Sequence, residues 1–199
     1  MRERILELLR SLDHTLQSEV QEGRRLELYP IGRGSLILFG FLTSGRATTK
    51  DLDVLQVGQH CDSLLTILLE RFGVSSEYAR ANEIYLESVN VGLPPVPSWY
   101  ANRSQEFLPG TWSVLRVWQM EIHDLATTKL KRFSAKDRAD LRELCDQGLL
   151  APEALLRSLA KAFLWSTVKD GEPNDPDHAK AETHLGMVIA YLEGRISDL

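Results

Sequence analysis

The sequence is short of cysteine, of long apolar runs and of positive charge, and each shortage removes a class of protein. Only two cysteines, Cys61 and Cys145, occur in 199 residues. They form no CxxC pair, which argues against a structural zinc site and fits a reducing compartment. His60, Cys61, His123 and Cys145 have no metal-ligand spacing. The longest uninterrupted apolar stretch, Leu36–Leu42, carries Gly40 inside it and falls far below the roughly 18 residues of a membrane span. The N-terminus, Met1-Arg-Glu-Arg-Ile-Leu-Glu, mixes both charge signs and lacks a signal-peptide apolar core. Formal net charge is −5, which argues against a general duplex-DNA binder and leaves room for a local basic pocket. No Gly-x-Ser-x-Gly elbow points to a hydrolase. These absences predict a soluble, cytoplasmic protein with no membrane and no duplex-DNA partner.

What remains is ordinary globular composition, 43% apolar and 26% charged, enough for one core or one core with an appendage. Ile5, Leu8, Leu9, Leu12, Leu16 and Val20 recur at helical spacing and predict an opening helix closed by Gly23. Leu26–Ile31 reads as a short strand that Pro30 confines to an edge or a strand end. The run Leu36–Leu42 fits a buried strand or a buried helix, and its periodicity does not choose. Asp51–Val54 alternates as a half-buried strand, and a helix carrying Leu64, Leu65 and Leu68 runs to Phe72. Glu83–Asn90 and Trp112–Met120 are further strands. From Glu121 onward the pattern is helical, over 121–133, 135–147, 152–168 and 176–195. A capping-box variant at Ser134 and Asp137 opens the second of these, and Gly148 closes it. The order predicts an α/β core over 1–120 and a helical region over 121–199 that completes the site.

The chemistry lies in one ordered unit. Gly34-Ser35 stands before an apolar run, and a short turn then leads to Asp51-Leu52-Asp53. Strand alternation puts Asp51 and Asp53 on one face, about 7 Å apart, with Leu52 turned inward. A lone Asp-x-Asp is most often a solvated strand face. Like charges held together favour an intervening cation, and the hard-oxygen donors suit Mg²⁺ or Mn²⁺. Gly34 permits close backbone approach to phosphate, and a helix opening at Ser35 would offer unsatisfied N–H groups. Together the parts suit a nucleoside triphosphate with its metal.

These residues resemble the nucleotidyltransferase fold of the DNA polymerase β type, whose signature is Gly-[Gly/Ser], a spacer and Asp-h-[Asp/Glu]. The stretch Arg46-Ala-Thr-Thr-Lys-Asp-Leu-Asp53 is similar to the R-x-T-K-D-h-D segment of bacterial nucleotidyltransferase-like proteins related to the abortive-infection toxins, with one extra residue. His123-Asp-Leu-Ala-Thr-Thr-Lys129-Leu, followed by Lys136-Asp137-Arg-Ala-Asp140-Leu, resembles that group's second block. The likeness spans roughly residues 24–150. It implies an α/β mixed sheet with flanking helices and a C-terminal helical subdomain. It assigns Asp51 and Asp53 to the metal, Gly34, Ser35 and Arg46 to the nucleotide, and Lys129 to phosphate or the reacting centre. Asp137 would complete the site or hold Lys129. Polymerase-like enzymes add a third carboxylate from a later strand; Glu83 and Glu87 are the candidates, and Glu87 is preferred. The implied activity is nucleotide transfer from a triphosphate to a hydroxyl of RNA, a tRNA end or a protein. A toxin-like role with an antitoxin partner follows from the same likeness. The competing readings are a catalytically weak nucleotide- or partner-binding module on this fold, and a small-molecule nucleotidyltransferase.

Overall fold

In the computed structural model the described residues are 1–19, 25–43, 48–56, 62–90, 93–162 and 176–199. They fall into two compact units, Met1–Val91 with Ser104–Met120, and Gly92–Arg103 with Glu121–Leu199. Val20, Gly23, Arg46, His60 and Cys61, named above, lie outside the described residues, as does the part of the third predicted C-terminal helix beyond residue 162. No described helix is long and apolar enough to cross a membrane.

The first unit is a mixed sheet with helices. Its opening stripe forms α1 (Arg2–Gln17), which buries Ile5, Leu8, Leu9, Leu12 and Leu16. Five strands follow: β1 (Leu26–Ile31), β2 (Asp51–Gln56), β3 (Tyr85–Asn90), β4 (Gln105–Glu106) and β5 (Leu115–Gln119). Their order is β3-β2-β1-β5-β4. β1 runs antiparallel to β2 and parallel to β5, and β2 runs parallel to β3. The helices are α2 (Gly32–Leu38), α3 (Asp62–Phe72) and α4 (Glu77–Asn82). One sheet face carries Leu26, Leu28, Leu52, Val54, Leu86, Leu115 and Val117, all buried. That face is the core.

Several elements differ from the sequence expectation for identifiable reasons. β1 is the central strand although it contains Pro30, because its pairing with β5 ends at Leu28 and its pairing with β2 covers Tyr29, Pro30 and Ile31. Pro30 therefore sits where only one neighbour asks for backbone bonds, at a strand end as expected. Of the run Leu36–Leu42 only Leu36–Leu38 is helical, as the end of α2, which starts earlier, at Gly32, and gives way to a turn through Gly40 with φ 80°. The predicted strand from Glu83 starts only at Tyr85. Glu83 is the left-handed cap of α4, φ 54°, and its N–H closes on the Ala79 carbonyl. It is not on the strand face with Glu87. The strand predicted from Trp112 begins at Leu115, because buried Asp13 of α1 accepts the N–H groups of Ser113, Val114 and Leu115 at 2.8–3.0 Å. Burial pushes the Asp13 carboxyl up, but those three amide bonds prevail and hold it below its usual value.

The second unit is helical: α5 (Tyr100–Arg103), α6 (Ile122–Thr127), α7 (Ala135–Asp146), α8 (Pro152–Ala162) and α9 (Pro176–Leu192). Leu125, Leu130, Leu141, Leu144, Leu155, Leu159, Leu185 and Val188 make its core. α6 is half the predicted length. The Thr127 and Thr128 hydroxyls donate to the His123 and Leu125 carbonyls, competing with the helical ladder, and Phe133 turns left-handed at φ 47°. Ser134 and Asp137 form the reciprocal capping box of α7.

Candidate metal and nucleotide site

The sheet face opposite the core is where the acids gather. Directly opposed residues in a ladder share a face, and β3 pairs Tyr85 with Asp51 and Glu87 with Asp53. One carboxylate oxygen from each of Asp51, Asp53 and Glu87 lies within 4.8 Å of the other two. Thr49 holds Asp51 by donating its hydroxyl to Oδ1 at 2.5 Å. Neither Asp51 nor Glu87 has an ion pair among the described residues. The Tyr85 phenol is pushed up by burial first, and then by the negative charges of Asp51, Glu87 and Asp53. Three converging oxygen donors without nitrogen or sulfur suit a hard divalent cation. The donor set fits Mg²⁺ or Mn²⁺.

A residue that the sequence reading left aside borders this cluster. Gly32 opens α2 with φ +69°, and a Cβ there would sit 2.4 Å from Asp53 Oδ2. Only glycine tolerates both the left-handed backbone and the carboxylate. The sequence signal for it is the Gly32-Arg-Gly-Ser35 string, whose two glycines stand two residues apart. Gly34 has a different constraint. Its missing Cβ would stand 2.7 Å from the Asp51 carbonyl oxygen and 3.3 Å from Leu52 Cδ1, so it lets α2 close onto β2. Ser35 lies within the first turn of α2 and not ahead of it. It is fully buried, and its hydroxyl donates to the Gly32 carbonyl at 2.8 Å.

Lys129 and Asp137 belong to the helical unit and meet there. Lys129 is 3% exposed, and its Nζ lies 2.7 Å from Asp140 Oδ2 and 3.6 Å from Asp137 Oδ1. Arg132 clasps Asp137 with Nε and a terminal nitrogen at 2.8 and 2.9 Å, and the Ser134 amide and hydroxyl donate at 3.0 and 2.7 Å. Burial pushes the Asp137 carboxyl up, yet the Arg132 and Ser134 bonds and the Lys129 charge outweigh it and hold it at about 2. A second buried cluster joins Asp124 to Arg103 and to the Ser158 hydroxyl. His123 bridges locally as well: Nδ1 meets Glu121 Oε1 at 2.5 Å, and Nε2 accepts the Ala151 N–H at 3.0 Å. With both ring nitrogens engaged, His123 is a joint between chain segments. Cys145 is buried, its thiol pushed up by burial to about 12, and is chemically inert.

A mixed sheet with helices, bearing an aspartate pair and a third acid on adjacent strands, defines an α/β protein of the nucleotidyltransferase type. Residues 7–159, about three quarters of the chain, match the family described as "Nucleotidyltransferase of unknown function (DUF6036)", and the chain belongs to that family. The match begins within α1 and ends within α8, so it takes in the sheet, α5, α6, α7 and most of α8. No curated protein and no solved structure matches the chain.

Proposed function

We propose that the protein is a metal-dependent nucleotidyltransferase that moves a nucleotide from a nucleoside triphosphate to a hydroxyl acceptor, with RNA or a tRNA end as the leading acceptor class and protein as the other. The observation that carries this reading is the convergence of Asp51, Asp53 and Glu87 to within 4.8 Å on adjacent strands. Such a cluster of like charge is costly until a cation enters it. A divalent cation held by these oxygens supplies the positive charge that lets triphosphate approach three carboxylates. Thr49 fixes the orientation of Asp51, and Gly32 leaves room for the Asp53 carboxylate.

In the transfer, the acceptor oxygen bonds to the α-phosphorus, the α–β phosphoanhydride bond breaks, pyrophosphate leaves and the hydroxyl proton passes to water. Gly34 and Ser35 are assigned to the triphosphate by their motif; both are buried in α2, and the Ser35 hydroxyl is used within it. Arg46 joins them on the strength of its motif alone. Lys129 is already neutralised by Asp140 and Asp137, which supports a positioning role for the pair within the helical unit. A toxin-like action controlled by an antitoxin rests on the motif likeness.

The test is incubation with Mg²⁺, each labelled triphosphate in turn and total cell RNA or protein. Label in a macromolecule together with released pyrophosphate, both lost in Asp51→Asn, is the expected result. Triphosphate binding without pyrophosphate release for any acceptor overturns it in favour of a binding module.

A further inference from the structure

The face that carries the acids continues across the sheet, and its far side is chemically unlike its near side. β1 pairs Glu27 with Arg116 and Leu28 with Val117, so Arg116 and Trp118 of β5 share the face of Glu27 and Tyr29. Tyr29 and Ile31 in turn oppose Leu55 and Asp53 of β2, which puts all of them on the face of the acid cluster. Tyr29 and Trp118 stack, centroids 6.0 Å apart and planes 11° from parallel. Arg116 Nε and Trp118 Nε1 are both shut off from solvent with no acceptor among the described residues. Each such donor forfeits its water without replacement, a penalty that native structures rarely accept without a partner. Two of them, on alternate residues of one strand and beside an aromatic stack, form a coherent set.

We infer that Arg116, Trp118 and Tyr29 form a nucleotide-recognition subsite on the sheet face of the acid cluster, taking the base and a polar or anionic acceptor group of one nucleotide unit. A planar base extends the aromatic stack, and the two unmet donors bond its carbonyl or ring-nitrogen acceptors or an adjoining phosphate. β5 lies two strand spacings from β2, about 10 Å across the sheet, and the register sets Trp118 two residues along from the level of Asp53, so the ring stands about 12 Å from that acid, the span of one nucleotide unit, with Arg116 two residues beyond. The same chemistry is offered by the incoming triphosphate and by the terminal nucleotide of a single-stranded acceptor. This inference rests on the nucleotidyl-transfer reading only in taking the ligand to be a nucleotide.

The test uses the full chain with Mg²⁺ and three probes: the four nucleoside triphosphates, tripolyphosphate, which has no base, and a short single-stranded oligoribonucleotide. Trp118→Phe keeps the ring and removes the N–H, Arg116→Gln removes the charge, and Trp118→Leu removes the stack, each with its melting temperature recorded. The expected result is about tenfold weaker binding of a triphosphate or of the oligoribonucleotide in Trp118→Leu and Arg116→Gln, with tripolyphosphate affinity unchanged in Trp118→Leu. Whichever probe responds identifies the source of the base. Wild-type binding of triphosphate that no variant alters, with the oligoribonucleotide equally indifferent, overturns the subsite and leaves the acid-cluster reading intact. Oligoribonucleotide binding that depends on Arg116 and Trp118, without any triphosphate binding, upholds the subsite and removes the transfer reading. A wild type that binds no probe overturns both.

Discussion

The sheet and the helical unit each gather three carboxylates, and they treat them in opposite ways. In the helical unit, Asp137 and Asp140 enclose the Lys129 ammonium, Arg132 clamps Asp137, and Asp124 is held by Arg103 and Ser158. Charges are balanced within the chain, with the three carboxylates and Lys129 almost fully buried and Arg132 largely exposed. On the sheet, Asp51, Asp53 and Glu87 converge on one another, and neither Asp51 nor Glu87 has an ion pair among the described residues. A self-balanced network stabilises one conformation; carboxylates that converge on one another repel, and a cation relieves that repulsion. The contrast separates scaffold from site without reference to any relative.

The sharpest way to break that comparison is to neutralise each side. Asp51→Asn with Asp53→Asn is expected to abolish divalent-metal binding and nucleotide transfer while leaving the melting temperature equal or higher, as read by calorimetric titration and thermal unfolding. A double variant that unfolds with no change in metal affinity assigns these acids to the scaffold. Lys129→Met reverses the pattern. It leaves two buried carboxylates facing each other without their cation and is expected to cost about 3–5 kcal/mol in denaturant unfolding, with metal binding to the folded fraction unchanged. Normal stability together with lost triphosphate affinity would move Lys129 from the scaffold into the site.

The two glycines of α2 refine the boundary. Gly34→Ala drives a Cβ at backbone, 2.7 Å from the Asp51 carbonyl, and is expected to cost about 3 kcal/mol, the upper range for overpacking. Gly32→Ala strains a left-handed residue, at about 1–2 kcal/mol, and pushes on the Asp53 carboxylate, so metal affinity falls as well. Equal metal affinity in the two variants would detach Gly32 from the site.

A further effect, confined to low pH, concerns acid stability. Asp137 is held at about 2 against an ordinary 3.8. Its contribution is therefore complete above pH 3.8 and is lost as pH falls through about 2, an amount of about 2 kcal/mol. Asp137→Asn is expected to flatten that part of the stability–pH curve measured by urea unfolding between pH 5 and 2. An unchanged acid limb would show that Arg132 and Ser134 do not set this group.

Much of the site was legible because its signal is local. Asp51 and Asp53 alternate on a strand, and period two alone puts them on one face. The choice of Glu87 over Glu83 was legible only through the motif; what separates them physically is a left-handed cap at Glu83, set by where α4 ends. Ser35 was readable as a helix-opening residue but not as one already inside the first turn, since the helix start depends on the conformation of Gly32. Lys129 carries no local mark of burial, because its two carboxylate partners arrive from α7, on the far side of the turn at Phe133.

The sequence by itself determined the α/β class, the aspartate pair, the capping box at Ser134 and the amphipathic opening helix, all properties of spacing within a few residues. Tertiary structure alone decided that Pro30 can lie in a central strand, that Asp13 sets where β5 begins, and that Glu87 stands opposite Asp53. It likewise put Gly32 against a carboxylate and left Arg116 and Trp118 with buried donors on the acid-bearing face. The physical reason is common to all of these. Register between strands and the ends of helices are fixed by partners distant in the chain, and a linear pattern records which face a residue takes but not what it will meet there.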